Sequence, residues 1–169
     1  MGTRKVHNDE LHAHFVTFSC YCRRKLLDDD RAKRIVVGVL HSQLLHQNAT
    51  CVGFVVMPDH VHAIVWFPVP DQLSVFVQQW KRISSHQIGC FLHDALVQYA
   101  TKIGTDPIWQ AKYYSFNLHN EEKVREKLTY MHENPVRAGL ATKPCDWHFS
   151  SARYYEQRRS VGIPIHWIE

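Results

Sequence analysis

The chain has no apolar run approaching the roughly 20 residues needed to span a bilayer, and no secretory leader, so a protein of the reducing cytoplasm is expected. Its five cysteines, Cys20, Cys22, Cys51, Cys90 and Cys145, are odd in number and include no C-x-x-C pair, which argues against a disulfide scaffold. Cys20 and Cys22 would place both sulfurs on one face of a strand, yet no second pair completes a tetrahedral zinc site at a familiar spacing. They read as small buried hydrophobes. Internal repeats and low-complexity tracts are also lacking, so neither a solenoid nor a disordered polar segment is indicated. Nor is charge of one sign dominant: 20 Lys and Arg against 16 Asp and Glu leave a formal +4, which permits a nucleic-acid partner without demonstrating one.

What is present suits one compact domain over residues 1–169, with a core of about 13–155 and a C-terminal extension over 156–169. With 45% hydrophobic residues in 169, there is enough apolar material for an independent core. Residues 1–11 are polar and aperiodic and read as a loosely ordered lead-in. The β-branched and aromatic run from His14 to Tyr21 predicts a first strand, closed by Arg23, Arg24 and Lys25. Asp28 to Asp30 offer capping oxygens ahead of Ile35, Val36, Val39, Leu40 and Leu44 at helical spacing, so a helix over about 30–47 follows. Thr50–Val56 and His60–Trp66 form a predicted hairpin around Met57, Pro58 and Asp59. A second helix is expected over about 72–89, an ambiguous, partly helical segment over 90–108, and a fourth strand over 112–118. Asn120 and two glutamates then open a third helix running to about 133. Strand, helix, strand, strand, helix, strand, helix is the α+β, ferredoxin-like plan, in which an antiparallel sheet carries helices on one face and leaves the other for a ligand.

Thirteen histidines are many for this length, and a metal site is worth seeking among them. His60 and His62 lie two apart in a strand, so both imidazoles leave the same face and can converge on one ion. His12 and His14 have the same spacing, so the pair alone is a weak signal. Asp59, at the turn, suits a partner of the histidines better than a ligand. On the third helix, Val124, Leu128 and Met131 form an apolar stripe and Tyr130 falls nearly opposite it, which predicts a reachable hydroxyl. Asn134, one turn beyond Tyr130, has two readings: its amide oxygen can complete a metal site, or Asn134, Pro135 and Gly139 are the N-cap, first-turn proline and terminating glycine of another helix. Two imidazoles and an amide leave positions open for water and phosphate, so an ion there could polarise a phosphodiester. A phenol attacks well only when its ionisation is assisted, and Lys123 or Lys127 on the same helix could steady a phenolate or a phosphate.

Four motifs in this order carry a family resemblance: VVMPDHVH over Val55–His62, IWQ over Ile108–Gln110 leading to Tyr113 and Tyr114, YMHENPVRAGL over Tyr130–Leu140, and WHFSS over Trp147–Ser151. The chain resembles the single-tyrosine HUH transposases, most closely the REP-associated tyrosine transposases of bacteria. That resemblance implies a ferredoxin-like fold, Mg or Mn at His60 and His62, and Tyr130 as the nucleophile. It further implies cleavage and rejoining of single-stranded DNA at or near hairpins, through a 5′-phosphotyrosine link and a free 3′-hydroxyl. Asn134 stands where related enzymes supply a third ligand, often glutamine. The tail from Gly162 to Ile168 is similar to the short extension of the REP-associated group, for which a monomer is expected, whereas relatives carried by mobile elements act as dimers with tyrosines in trans, so both states stay open with the monomer favoured. Arg23, Arg24, Lys81, Arg82 and Lys127 are the candidate DNA contacts, with exposed Trp and Tyr side chains available to stack unpaired bases. Two other function classes fit part of the pattern: a nucleic-acid-binding module that does not cut, and a metallohydrolase that needs the metal pair but not the phenol.

Overall fold

A computed structural model describes residues 12–96 and 106–168. The polar lead-in over 1–11 and the middle of the ambiguous segment over 90–108 lie outside the described residues. The elements are β1 (Ala13–Ser19), α1 (Asp30–His46), β2 (Thr50–Val56), β3 (His60–Trp66), α2 (Leu73–Leu96), β4 (Tyr114–Leu118), α3 (Glu121–Arg137) and α4 (Ala152–Gln157). The strands form one sheet in the order β2-β3-β1-β4, with every neighbouring pair antiparallel. This is the expected α+β, ferredoxin-like arrangement.

Local chemistry sets several boundaries. The Asp29 carboxylate accepts from the Arg31 backbone N–H at 2.8 Å and starts α1, and Asn120 Oδ1 accepts from the Lys123 N–H at 2.9 Å and starts α3. The fourth strand begins at Tyr114 rather than at residue 112, and just before it the carbonyls of Gln110 and Ala111 accept from Lys81 Nζ at 2.6 and 3.0 Å. Helix α2 reaches Leu96, beyond the expected end near 89. Residues at 108–110 extend the sheet edge: Tyr21 N–H donates to Ile108 and Gln110 N–H to Ser19, both at 2.8 Å.

The sheet divides the core in two. Val16, Phe18, Phe54, Val61 and Ala63 point toward α1 and α2, where Trp80 is fully buried and its indole N–H donates to the Val36 carbonyl at 2.9 Å. Phe15, Val52, Val55 and Ile64 point the other way, toward Val124, Leu128 and Met131 of α3. The face expected to stay open is therefore partly roofed by α3. That close approach depends on Gly53, beside the bulge in β2, where a Cβ would run into Leu128 and lie 2.5 Å from the Met131 methyl. The outer edge of β2 is covered by the C-terminal segment: Val56 N–H donates to Phe149, Ser151 N–H to Phe54 and His166 N–H to Cys51. Ile163 and Ile165 are buried, so the extension packs into the core it follows. Cys20, Cys51 and Cys145 are buried, Cys22 and Cys90 are exposed, and all five are free thiols. None of the described helices is long and apolar enough to cross a membrane.

Candidate active site

Alternation along β3 sends His60, His62 and Ile64 to the α3 side of the sheet. Both histidines are buried, and their rings meet edge to face at 4.8 Å. Each is oriented through Nδ1. His60 Nδ1–H donates to Asp59 Oδ1 at 2.6 Å, and the second oxygen of Asp59 pairs with Arg23 Nε at 3.0 Å. His62 Nδ1 lies 2.6 Å from Thr17 Oγ1, its cross-strand neighbour on β1, and the ring stacks on Phe15 at 5.3 Å. Taking Nδ1 as the protonated nitrogen in both rings leaves the two Nε2 lone pairs facing the space beneath α3. His62 Nε2 is buried and has no hydrogen-bond partner. His60 Nε2 accepts from Asn134 Nδ2 at 3.3 Å.

Electrostatics keep these rings neutral. Burial, followed by the nearby His60, Arg23, Arg137 and Lys127, pushes the His62 pKa down to about 3. Burial also lowers that of His60, against the opposing pull of Asp59. Two neutral imidazoles thus stand side by side with one carboxamide against His60, and a half-turn of the carboxamide would present Asn134 Oδ1 instead of Nδ2. No cluster of three or more His, Cys, Asp or Glu side chains able to hold an ion occurs among the described residues, and an ion at the histidine pair would need the carboxamide or water beside the two imidazoles.

Asn134 reaches His60 because it lies inside α3 and does not begin another helix. Asn134 is therefore not an N-cap, that role in α3 belonging to Asn120. Pro135 is buried in the same helix, and Gly139, at φ 71°, ends it: Gly139 N–H donates to Val136 and Leu140 N–H to Pro135 at 3.0 and 2.8 Å. These are the paired bonds of a Schellman ending. The terminating role of glycine holds, while the asparagine side chain is spared from capping and reaches His60.

Tyr130 lies about 100° around α3 from the fully buried Met131, at the margin of the helix's buried stripe, and it is 45% exposed. Its ring meets His62 at 5.7 Å and Phe15 at 6.2 Å. Two cations flank it: Lys127 Nζ lies 5.5 Å from the ring centre and Arg137 Cζ 4.7 Å. Lys123 is held by Glu126 at 2.7 Å, which leaves Lys127 as the helix lysine beside Tyr130. Arg137 and Thr17 escaped sequence reasoning. Arg137 stands two turns after Tyr130 on the same face, a signal lost once Pro135 is read as a break. Arg137 Nη2 donates to the Tyr130 carbonyl at 2.6 Å, which holds the guanidinium over the Tyr130 ring.

The remaining candidate contacts are dispersed. Arg23 is tied to Asp59 and to Ser19 Oγ at 2.9 Å, behind His60. Arg24 pairs with Asp106 at 3.4 Å. Lys81 and Arg82 lie on α2, across the sheet from Tyr130. Lys81 is spent on two carbonyls and burial lowers its pKa, and Arg82 donates twice to Gln79 Oε1 at 3.0 and 2.8 Å.

This geometry has relatives. A curated REP-associated tyrosine transposase of Escherichia coli strain K12 is 28% identical over 116 residues, covering 68% of this chain and 60% of its own length. The chain thus spans under two thirds of that relative. A solved REP-associated tyrosine transposase bound to a REP hairpin is similar over 100% of this chain and 92% of its own, with a TM-score of 0.74 at 22% identity, which establishes the shared fold. The family model described as transposase, IS200 like, matches residues 7–134, a span that runs from before β1 through the histidine pair and Tyr130 to Asn134, and the chain belongs to that family.

Proposed function

We propose that this protein is a metal-dependent, single-tyrosine transposase that acts as a monomer, cutting and rejoining single-stranded DNA at or near hairpins. The observation that carries the reading is the buried, unpartnered His62 Nε2 beside His60 Nε2, directly below an accessible Tyr130. A buried lone pair without a partner is costly unless something fills its position. A divalent cation held by His60, His62 and the Asn134 carbonyl would fill it, and carbonyl and water ligands with open positions suit Mg or Mn. When bound, the ion supplies Lewis-acid polarisation of a phosphodiester oxygen.

The chain's own groups carry the rest. Thr17 and Asp59 fix the imidazoles so that no ring has to turn when phosphate arrives. Tyr130 Oη, its proton lost to the solvent that reaches it, attacks phosphorus; the phosphotyrosine bond forms as the bond to the 3′-oxygen breaks, and that oxygen leaves as a hydroxyl after taking up a proton. The reverse attack by a 3′-hydroxyl rejoins the strand, because the link conserves the energy of the bond. Lys127 and Arg137 place positive charge where the phenolate and the crowded phosphate develop negative charge. Hairpin DNA as substrate is supported by the description of the solved relative as bound to a REP hairpin.

The test is incubation with labelled, hairpin-bearing single-stranded DNA and Mg or Mn, followed by denaturing electrophoresis. A covalent adduct lost in Tyr130→Phe is expected. Cutting that survives this substitution would instead identify a hydrolase, and binding without cutting a non-catalytic module.

A further inference from the structure

Helix α3 crosses its face of the sheet on a diagonal. Its first residues follow directly from Leu118 at the end of β4, and Asn134 near its last turn reaches His60 at the start of β3. A diagonal crossing covers Leu118 and leaves the beginning of β4 unroofed. There Tyr114 and Phe116 are 65% and 40% exposed, on a strand whose buried end is Leu118. Register places both on the active-site side: Tyr114 pairs with Thr17, which pairs with His62, and Phe116 pairs with Phe15, which pairs with Ile64. Neighbouring strands lie about 4.8 Å apart, so Tyr114 stands ~10 Å from His62 along one cross-strand row.

The exposed rings are continuous with the candidate catalytic group. Lys127 Nζ lies 5.6 Å from the centre of Phe116, 5.5 Å from that of Phe15 and 5.5 Å from that of Tyr130. One cation therefore sits between the edge strand and the tyrosine. Aromatic faces accept any base by stacking, and a cation among them suits the phosphates that link those bases. Resting on the DNA-cleaving reading above, we infer that Tyr114 and Phe116 form a stacking platform for the unpaired bases beside the bond that Tyr130 attacks, with Lys127 holding the connecting phosphate. At a stacked rise of about 3.4 Å per nucleotide, ~10 Å places the platform about three nucleotides from the scissile phosphate.

The experiment measures the affinity of Tyr114→Ala, Phe116→Ala and the double variant for two probes, a hairpin oligonucleotide with a short unpaired 5′ extension and the same hairpin without it. Loss of one stacking ring should weaken binding of the extended probe by about 5- to 100-fold and leave the bare hairpin unchanged. Tyr114→Trp should restore binding, and replacing the extension's bases with abasic units should abolish the difference between wild type and variant. Equal losses on both probes, or none, would overturn the platform. So would a change in the mass of the free protein by sedimentation with DNA affinity unaltered, which would assign the edge to a second copy of the chain. Covalent adduct formation is scored in the same samples. If no adduct forms but the extension-specific loss persists, the cleavage reading fails and the platform stands.

Discussion

Gly53→Ala tests whether the contact between α3 and the sheet positions the candidate site. An added Cβ would collide with Leu128, lie 2.5 Å from Met131 Cε and sit 3.0 Å from Ser151 Oγ. Carbon atoms prefer about 3.5–4.0 Å, so roughly 1 Å of relief is needed. The terminal methyl of Met131 can swing aside, but Leu128 is 8% exposed and has little room, so part of the relief must come from lifting the helix. Overpacking of this kind costs about 1–3 kcal/mol, or roughly 2–12 °C in melting temperature for a domain of this size. Tyr130 rides on the same helix, and a misplacement of ~1 Å at a reacting group can cost about 100-fold in rate. Expected, then, is a folded variant with modestly lower stability and a disproportionately slower single-turnover adduct rate. Adding Leu128→Ala to it should recover rate better than stability, because the collision is relieved while apolar contact is lost. A Gly53→Ala variant with wild-type melting and wild-type rate would refute the reasoning.

Two further outcomes follow from the site's surroundings. Asn134→Ala should lower the melting temperature only slightly, since alanine is the better residue inside a helix and offsets part of the lost hydrogen bond to His60, while calorimetry shows Mn affinity reduced; unaltered Mn affinity would contradict the ligand role. Acid should unfold the protein through its buried histidines. Burial holds His132 down to about 4 and His62, with neighbouring cations, to about 3, against an ordinary value of 6.5. Below pH 6.5 the unfolded chain takes up protons that the folded chain refuses, so stability is full above pH 6.5 and falls toward pH 3–4, by up to about 1.4 kcal/mol per pH unit for each histidine. Urea unfolding at pH 7.5 and pH 5 measures this slope, and equal stabilities at the two values would contradict it.

Much of the fold was legible because its elements announce themselves locally. The β2–β3 hairpin, the Asp-rich start of α1 and the Asn120 cap of α3 all occur within two residues of where pattern and capping place them. What pattern could not supply was the second layer. That α3 lies on the face opposite α1 and α2 depends on Gly53, and a glycine in a strand pattern says only that something approaches closely, without naming it. The tail was equally opaque: Ile163 and Ile165 are ordinary residues in a Gly- and Pro-rich stretch until the edge of β2 is there to receive it.

The site divides along the same line. Two-residue spacing put His60 and His62 on one face, and helical phase put Tyr130 in reach of solvent, both from local geometry. Thr17 could not be found this way, because it reaches His62 through strand pairing across 45 positions of sequence. Asn134 shows why local signals can also mislead. An asparagine, a proline and then a glycine are consistent with the start of a helix or with the end of one. Proline in a helix interior costs about 3 kcal/mol, so the local balance favours a start. Burial of Met131, His132 and Pro135 along one stripe, with the two glycine-associated bonds that close the turn, tips it toward an end. The consequence is chemical as well as geometric. A capping asparagine would spend its oxygen on the backbone, whereas one inside α3 keeps its carboxamide for His60, and a residue ambiguous by local rules becomes the third group facing the buried lone pair of His62.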